Sequence, residues 1–178
     1  MIVLVDKQGN PTGSAPKLAS HDRNTPLHLA FSCYVFNDKG EFLLTQRAKS
    51  KKVFPGIWTN SCCGHPAPGE KMEEAIKRRL KYELGLLPTK IESAIPDFRY
   101  MAEMEGIVEN EICPVYLVRV NEEPTPNKDE VEDYRWLRWE DFVKETENNP
   151  KGYSVWSVLQ IAQLKNTTAI KKFAISQF

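Results

Sequence analysis

The chain has 178 residues, 41% of them hydrophobic, and 24 Lys+Arg balance 24 Asp+Glu. This suits one domain spanning 1–178 with its own core, and leaves no overall field to recruit nucleic acid or an anionic membrane surface. No stretch approaches the roughly 20 apolar residues of a membrane-spanning helix, and Cys33, Cys62, Cys63 and Cys113 lack zinc or disulfide-framework spacing, so reduced thiols and a cytoplasmic location are expected.

In chain order, Met1-Ile2-Val3-Leu4-Val5 is a short apolar run that breaks into charge at Asp6. The runs 29–36 and 41–45 are β-prone, and Asn37-Asp38-Lys39-Gly40 between them predicts a hairpin. Residues 71–84 read as a helix: Met72, Ile76, Leu80 and Leu84 recur every four residues along one stripe, and Gly85 supplies the stop. Further strands are expected at 94–101, 107–120 and 134–137, helices at 140–147 and 153–164, and a polar surface loop at 122–129. The last dozen residues match no pattern. Strands before, between and after helices predict an α+β fold, a mixed β-sheet sandwiched between α-helices.

The densest chemistry lies in Trp58-Thr59-Asn60-Ser61-Cys62-Cys63-Gly64-His65-Pro66-Ala67-Pro68-Gly69-Glu70, which runs into the predicted helix. Unpaired N–H groups and the dipole at a helix start favour anions, a weak signal because every helix has such an end. The spacing says more. Gly64, five residues, Glu70, seven residues, Arg78, then Leu80, Glu83, Gly85 and Leu86 resembles the Nudix box, whose glutamates hold divalent metal on a diphosphate. Arg79 and Tyr82 stand where that box has glutamate, so Glu83 is nearly alone on its helix face. A hydrolase of this kind needs several carboxylates to hold metal and activate water.

These departures, with Arg47-Ala48-Lys49-Ser50-Lys51, Asn60 to Pro66, Phe98-Arg99-Tyr100 and Gly106-Ile107-Val108-Glu109-Asn110-Glu111, resemble the type I isopentenyl diphosphate isomerases of the Nudix superfamily. The likeness runs from Leu4 to about Trp156. It implies a Nudix-like fold, an isoprenoid diphosphate substrate, a protein that is a monomer or weak dimer, and double-bond migration by protonation and deprotonation through a tertiary carbocation.

The resemblance also assigns roles. His21, His28 and His65 become metal ligands with Glu109 and Glu111. Alternate strand positions share a face, so the two glutamates can converge, and three imidazoles with two carboxylates suit manganese or zinc. Taken singly, each histidine reads as an ordinary hydrogen-bonded residue and the glutamates as a solvated strand edge. Glu83 and the Cys63 carbonyl are expected to hold Mg²⁺ on the substrate. Lys17, Arg47, Lys51 and Arg79 are expected around the diphosphate, although an Arg79–Glu83 pair four residues apart is also an ordinary surface ion pair. Cys63 and Glu111 are the proton-transfer pair on opposite substrate faces, with Tyr100 hydrogen-bonding that end of the site. Trp156 presents its ring to the carbocation, a contact worth roughly 2 kcal/mol when desolvated. Cys62 is expected to be a small buried hydrophobe.

Two rivals follow from the same residues. One is a Nudix hydrolase of a nucleoside diphosphate derivative, opposed by Arg79 and Tyr82. The other is a binding module without catalysis, opposed by retention of Cys63, Glu111 and the whole ligand set.

Overall fold

A computed structural model describes residues 1–16 and 23–175; Lys17 and His21 lie outside the described residues. The chain opens with a hairpin, β1 (Ile2–Val5) and β2 (Pro11–Ala15), which the apolar run alone did not announce. Its turn is organised by Asp6, whose Oδ1 accepts the amides of Gln8 at 2.8 Å and Asn10 at 2.9 Å. Next come β3 (His28–Leu29), β4 (Phe31–Phe36), β5 (Phe42–Arg47), β6 (Trp58–Thr59), β7 (Cys62–Gly64) and the helix α1 (Met72–Leu84). The strands β8 (Lys90–Ile95), β9 (Arg99–Met104), β10 (Ile107–Ile112), β11 (Val115–Arg119) and β12 (Val131–Leu137) follow, then α2 (Trp139–Asn148), α3 (Val155–Leu164) and α4 (Thr168–Phe173).

Two mixed sheets result, in the orders β2-β1-β3-β10-β9 and β12-β5-β4-β11-β8, with β6 added to β5 and β7 to β4. The second sheet is the layer between helices. Along β4 every side chain is buried, in alternation. Phe31, Cys33 and Val35 pack under Ile76, Leu80 and Leu84 of α1. Tyr34 and Phe36 face a cluster built from Phe142 of α2, Ile161 of α3 and Phe173 of α4. The predicted stripe on α1 is therefore its core face, with Met72 at the partly buried end. Gly85 ends the helix at φ +68°, and a Cβ there would lie 1.9 Å from Thr125 Oγ1, so only glycine fits both backbone and neighbour.

The expected strands 29–36 and 107–120 are each two strands in different sheets. The breaks fall at Ala30 and at Cys113-Pro114, where proline cannot donate to a ladder. The two chains run parallel and change sheets together. Glu111 opposes His28 in the first sheet and Val115 opposes Ser32 in the second. Ala30 N–H to the Ile112 carbonyl (2.9 Å) and Ser32 N–H to the Pro114 carbonyl (3.0 Å) carry the ladder through the break. The expected 94–101 strand is likewise two, β8 and β9, and β12 begins three residues before the expected 134. α3 starts at Val155 rather than 153 because Ser154 is its N-cap, accepting the Ser157 amide at 3.3 Å. The unmatched tail contains α4, capped by Thr167 and anchored by buried Ile170 and Phe173.

Candidate active site

A single pocket is lined by the ends of β5 to β7, one edge of α1, β9, β10 and Trp156 of α3, where the two sheets meet. β7 lies antiparallel on β4 with Cys62 opposite Cys33 and Cys63 opposite Ser32. Alternation sends Cys62 into the cluster under α1 and turns Cys63, half-buried, into the pocket. The adjacent thiols thus differ in surroundings as well as in face. Gly64 permits the next approach: a Cβ on it would lie 2.8 Å from both Arg79 Cγ and the Phe31 ring.

His65 and Glu111 line the pocket, and His28 lies against both. Parallel pairing of β3 with β10 places the buried His28 beside the buried Glu111. Glu111 Oε1 lies 3.0 Å from His65 Nε2 and 3.5 Å from His28 Nε2, and the two imidazoles stack at 5.1 Å. The Pro26 carbonyl is 2.9 Å from His28 Nδ1, so in the neutral ring Nδ1 carries the proton and Nε2 offers its lone pair inward. Burial works to raise the Glu111 carboxyl, but the two imidazoles outweigh it and hold it well below the usual range. One donor atom from each residue falls within 4.8 Å of the others, a set able to hold a metal ion. Glu109, two residues along β10, lines the same pocket but is not one of these three donors.

In the same pocket Arg79 donates to Glu83 Oε1 through Nε (2.9 Å) and Nη2 (2.6 Å), and lies 3.3 Å from Glu130, which also pairs with Lys51. The Arg79 guanidinium sits 5.1 Å from the centre of the Tyr82 ring. The two residues that depart from the Nudix box therefore contact each other. Burial, helped by the Glu130 charge, lifts the Glu83 carboxyl despite Arg79, while for Arg79 burial works downward and the Glu83 and Glu130 carboxylates outweigh it, holding the guanidinium above its usual range. Arg47 also reaches the pocket, yet its Nε and Nη2 donate to the carbonyls of Phe54 (3.0 Å) and Val53 (2.9 Å), which ties down the loop after β5. Sequence reasoning missed Glu130, because a lone acid closing a polar loop carries no spacing signal.

Cys63, Tyr100 and Trp156 line the pocket too. Burial pushes the Cys63 thiol up to about 11, partly offset by hydrogen bonds with Ser32 and Asn60. Tyr100 opposes Glu111 across the β9–β10 pair, and its ring lies 5.8 Å from Trp156. Burial, then the nearby Glu111 charge, pushes its phenol well above the usual range. The thiol and phenol are thus protonated at neutral pH, and the carboxylate is ionised.

Glu70, a Nudix-box position, works on structure rather than in the pocket. It accepts Arg78 Nε (2.8 Å) and Nη2 (2.7 Å) and the Ala67 amide (2.7 Å), tying the loop to the helix. Arg78 lowers its carboxyl from 4.5 to about 2, so the stabilisation is present above pH 4.5 and is lost as pH falls toward 2. Because Arg78 is nearly half exposed, Glu70→Gln should cost about 0.5–1 kcal/mol at pH 7 and clearly less at pH 2, where about half of the carboxyl is protonated. Urea unfolding at the two pH values checks this.

The NUDIX domain family matches residues 26–156. The chain is 50% identical over 171 residues, 96% of this chain and 93% of the relative, to an isopentenyl-diphosphate Delta-isomerase of Paenarthrobacter aurescens. It is 48% identical over 174 residues, 97% and 96% of the two chains, to one of Shigella boydii serotype 18. In fold it is similar to a Deinococcus radiodurans protein (TM-score 0.71, 18% identity, 92% of this chain and 98% of that one). A Burkholderia pseudomallei MutT Nudix hydrolase gives 0.59 at 20% identity, covering 78% of this chain and 98% of its own. At such identities these two solved structures speak for the fold alone.

Proposed function

Because the chain belongs to the isopentenyl-diphosphate Delta-isomerase family, built on a Nudix domain, we propose that its pocket interconverts isopentenyl and dimethylallyl diphosphate. The observation that carries this reading is that Cys63 and Glu111, on strands of different sheets, line one pocket together with Arg79 and Lys51.

The chemistry follows from that arrangement. The diphosphate is bound by Arg79, Lys51 and Arg47, with Lys17 completing the set. Arg79 and Lys51 must exchange their carboxylate partners for phosphate oxygens, a swap favoured by the greater charge of the incoming anion. The alkene then lies between Cys63 and Glu111. One adds a proton to the terminal carbon, giving a tertiary cation, and the other removes a proton two carbons away. The Trp156 ring stabilises the positive charge, and Tyr100 orients Glu111. His28, His65 and Glu111, joined by Glu109 and His21, fit manganese or zinc, and Glu83 with the Cys63 carbonyl fits the magnesium that accompanies the diphosphate. A cation held by these residues would draw charge from Glu111 and make its protonated form a stronger acid. The contact of Arg79 with Tyr82 leaves α1 without the carboxylate cluster that would activate water, which opposes the hydrolase reading.

No helix among the described residues is long and apolar enough to cross a membrane. Four free thiols support a cytoplasmic location, and the balance of 24 Lys+Arg against 24 Asp+Glu favours a small-molecule substrate over a nucleic-acid or membrane partner. The test is direct. Protein supplied with magnesium and trace manganese should convert isopentenyl to dimethylallyl diphosphate reversibly and introduce solvent deuterium, followed by NMR. Inorganic phosphate or pyrophosphate as the main product would sink the isomerase reading.

A further inference from the structure

Asn60 lies between β6 and β7, is fully buried, and has no role in the chemistry above. Its Nδ2 donates to two backbone carbonyls, Cys33 and Cys62, each at 3.0 Å. With both amide hydrogens committed to acceptors, the side chain has one sensible orientation and its Oδ1 points the other way. There Oδ1 accepts Trp156 Nε1–H at 2.9 Å and the Cys63 thiol at 3.2 Å. The Asn60 amide N–H also donates to Ser157 Oγ at 3.0 Å, and Ser154 N–H donates to the Trp58 carbonyl at 2.9 Å, so the start of α3 is pinned to this segment.

We propose that Asn60 is a positioning residue of the isomerase, one oxygen fixing the Cys63 sulfur and the Trp156 ring relative to each other. Cys63 stands on a strand and Trp156 on a helix 93 positions later in the chain, and Asn60 Oδ1 is the atom that both donate to. The proposal rests on the isomerase reading, in which the carbon that exchanges a proton with Cys63 adjoins the cationic carbon facing Trp156. A thiol and a ring that drift independently would meet those two neighbouring carbons in register only part of the time. A misplacement of about 1 Å at such a centre costs about 10²-fold in rate. Among the described residues, the hydrogen bonds of Asn60 reach neither Arg47, Lys51 and Arg79 nor the histidine and glutamate donors, so its loss should fall on turnover rather than on affinity.

Asn60→Ala should lower kcat by about 10²-fold with KM within about threefold of wild type. Far- and near-ultraviolet circular dichroism checks that the variant is folded. In the same variant the Trp156 Nε1–H should exchange with solvent faster by NMR, and the Cys63 S–H infrared band, identified by its loss in Cys63→Ser, should shift to higher frequency, toward the free-thiol position, with only the longer Ser32 Oγ contact left. A folded Asn60→Ala that keeps kcat within about threefold of wild type overturns the proposal. If that variant does not fold, the wild-type protein decides. A red-shifted Cys63 S–H band and a slowly exchanging Trp156 Nε1–H support the proposal, and a free-thiol band overturns it. Wild-type protein that fails to isomerise isopentenyl diphosphate removes the functional reading instead, while the two spectroscopic signatures still report on the Asn60 contacts.

Discussion

Cys63→Ser should lower kcat by roughly 10²–10⁴-fold, the contribution of a positioned proton-transfer group, with KM nearly unchanged. Serine keeps the size of the side chain and can still donate to Asn60 Oδ1 and meet Ser32 Oγ, which lies 3.4 Å from the sulfur. What it loses is acidity, since a hydroxyl gives up its proton far less readily than even a buried thiol held at about 11. Cys62→Ser is the control, although the two thiols are not matched in exposure. Cys62 is 2% exposed beneath α1, so a hydroxyl there should cost about 1–3 kcal/mol of stability and leave kcat near wild type. Steady-state kinetics and thermal unfolding of both variants separate the effects. A Cys63→Ser protein that retains most of its turnover would leave Glu111, with a water or another residue, carrying both proton transfers.

His28→Ala should strip the histidine and glutamate site of its metal and take turnover with it. The ring is fully buried, held by the Pro26 carbonyl and aimed at Glu111, so alanine removes a pre-oriented donor from the set. Second-sphere losses at metal sites already cost about 10–100-fold in affinity, and removal of a direct ligand should cost at least as much. Elemental analysis of dialysed protein gives the metal content, and circular dichroism reports the fold. Glu109→Gln should have the smaller effect, because Glu109 stands outside the three-donor group. Full metal content and activity in both variants would show the coordination to be wrong.

The parts of this molecule governed by local rules were legible in the sequence. The Met72-Ile76-Leu80-Leu84 stripe and the Gly85 stop need only helical geometry. The opposite fates of Cys62 and Cys63 follow from strand alternation once β7 is known to lie on β4. The sheet change at Ala30 was not legible, because the apolar run continues across it and only tertiary pairing separates the halves. Pro114 did carry a signal, the missing ladder donor. The helix α4 is a single short amphipathic segment whose Thr167 cap resembles any surface threonine until Ile170 and Phe173 find the core. Within the site, Cys63, His65, Glu109 and Glu111, which line one pocket, were singled out through a motif. Asn60 lies inside that motif, but its importance comes from a tryptophan far along the chain, which no local spacing reveals. Glu130 acquires meaning only through Lys51 and Arg79, brought to it by the fold.

The paired parallel strands that cross between the sheets also shape how the protein comes into being. His28 and Glu111 become neighbours only by closing a loop of more than eighty residues, and Ser32 meets Val115 through the same closure. Such closures carry an entropic cost before any contact offsets it, and folds rich in them form slowly. The donor set therefore cannot be assembled on a nascent fragment ending before Glu111. Release of the whole paired segment from the ribosome must precede assembly of the donor set, and a chain stalled short of that point leaves one edge of β4 without its parallel partner β11.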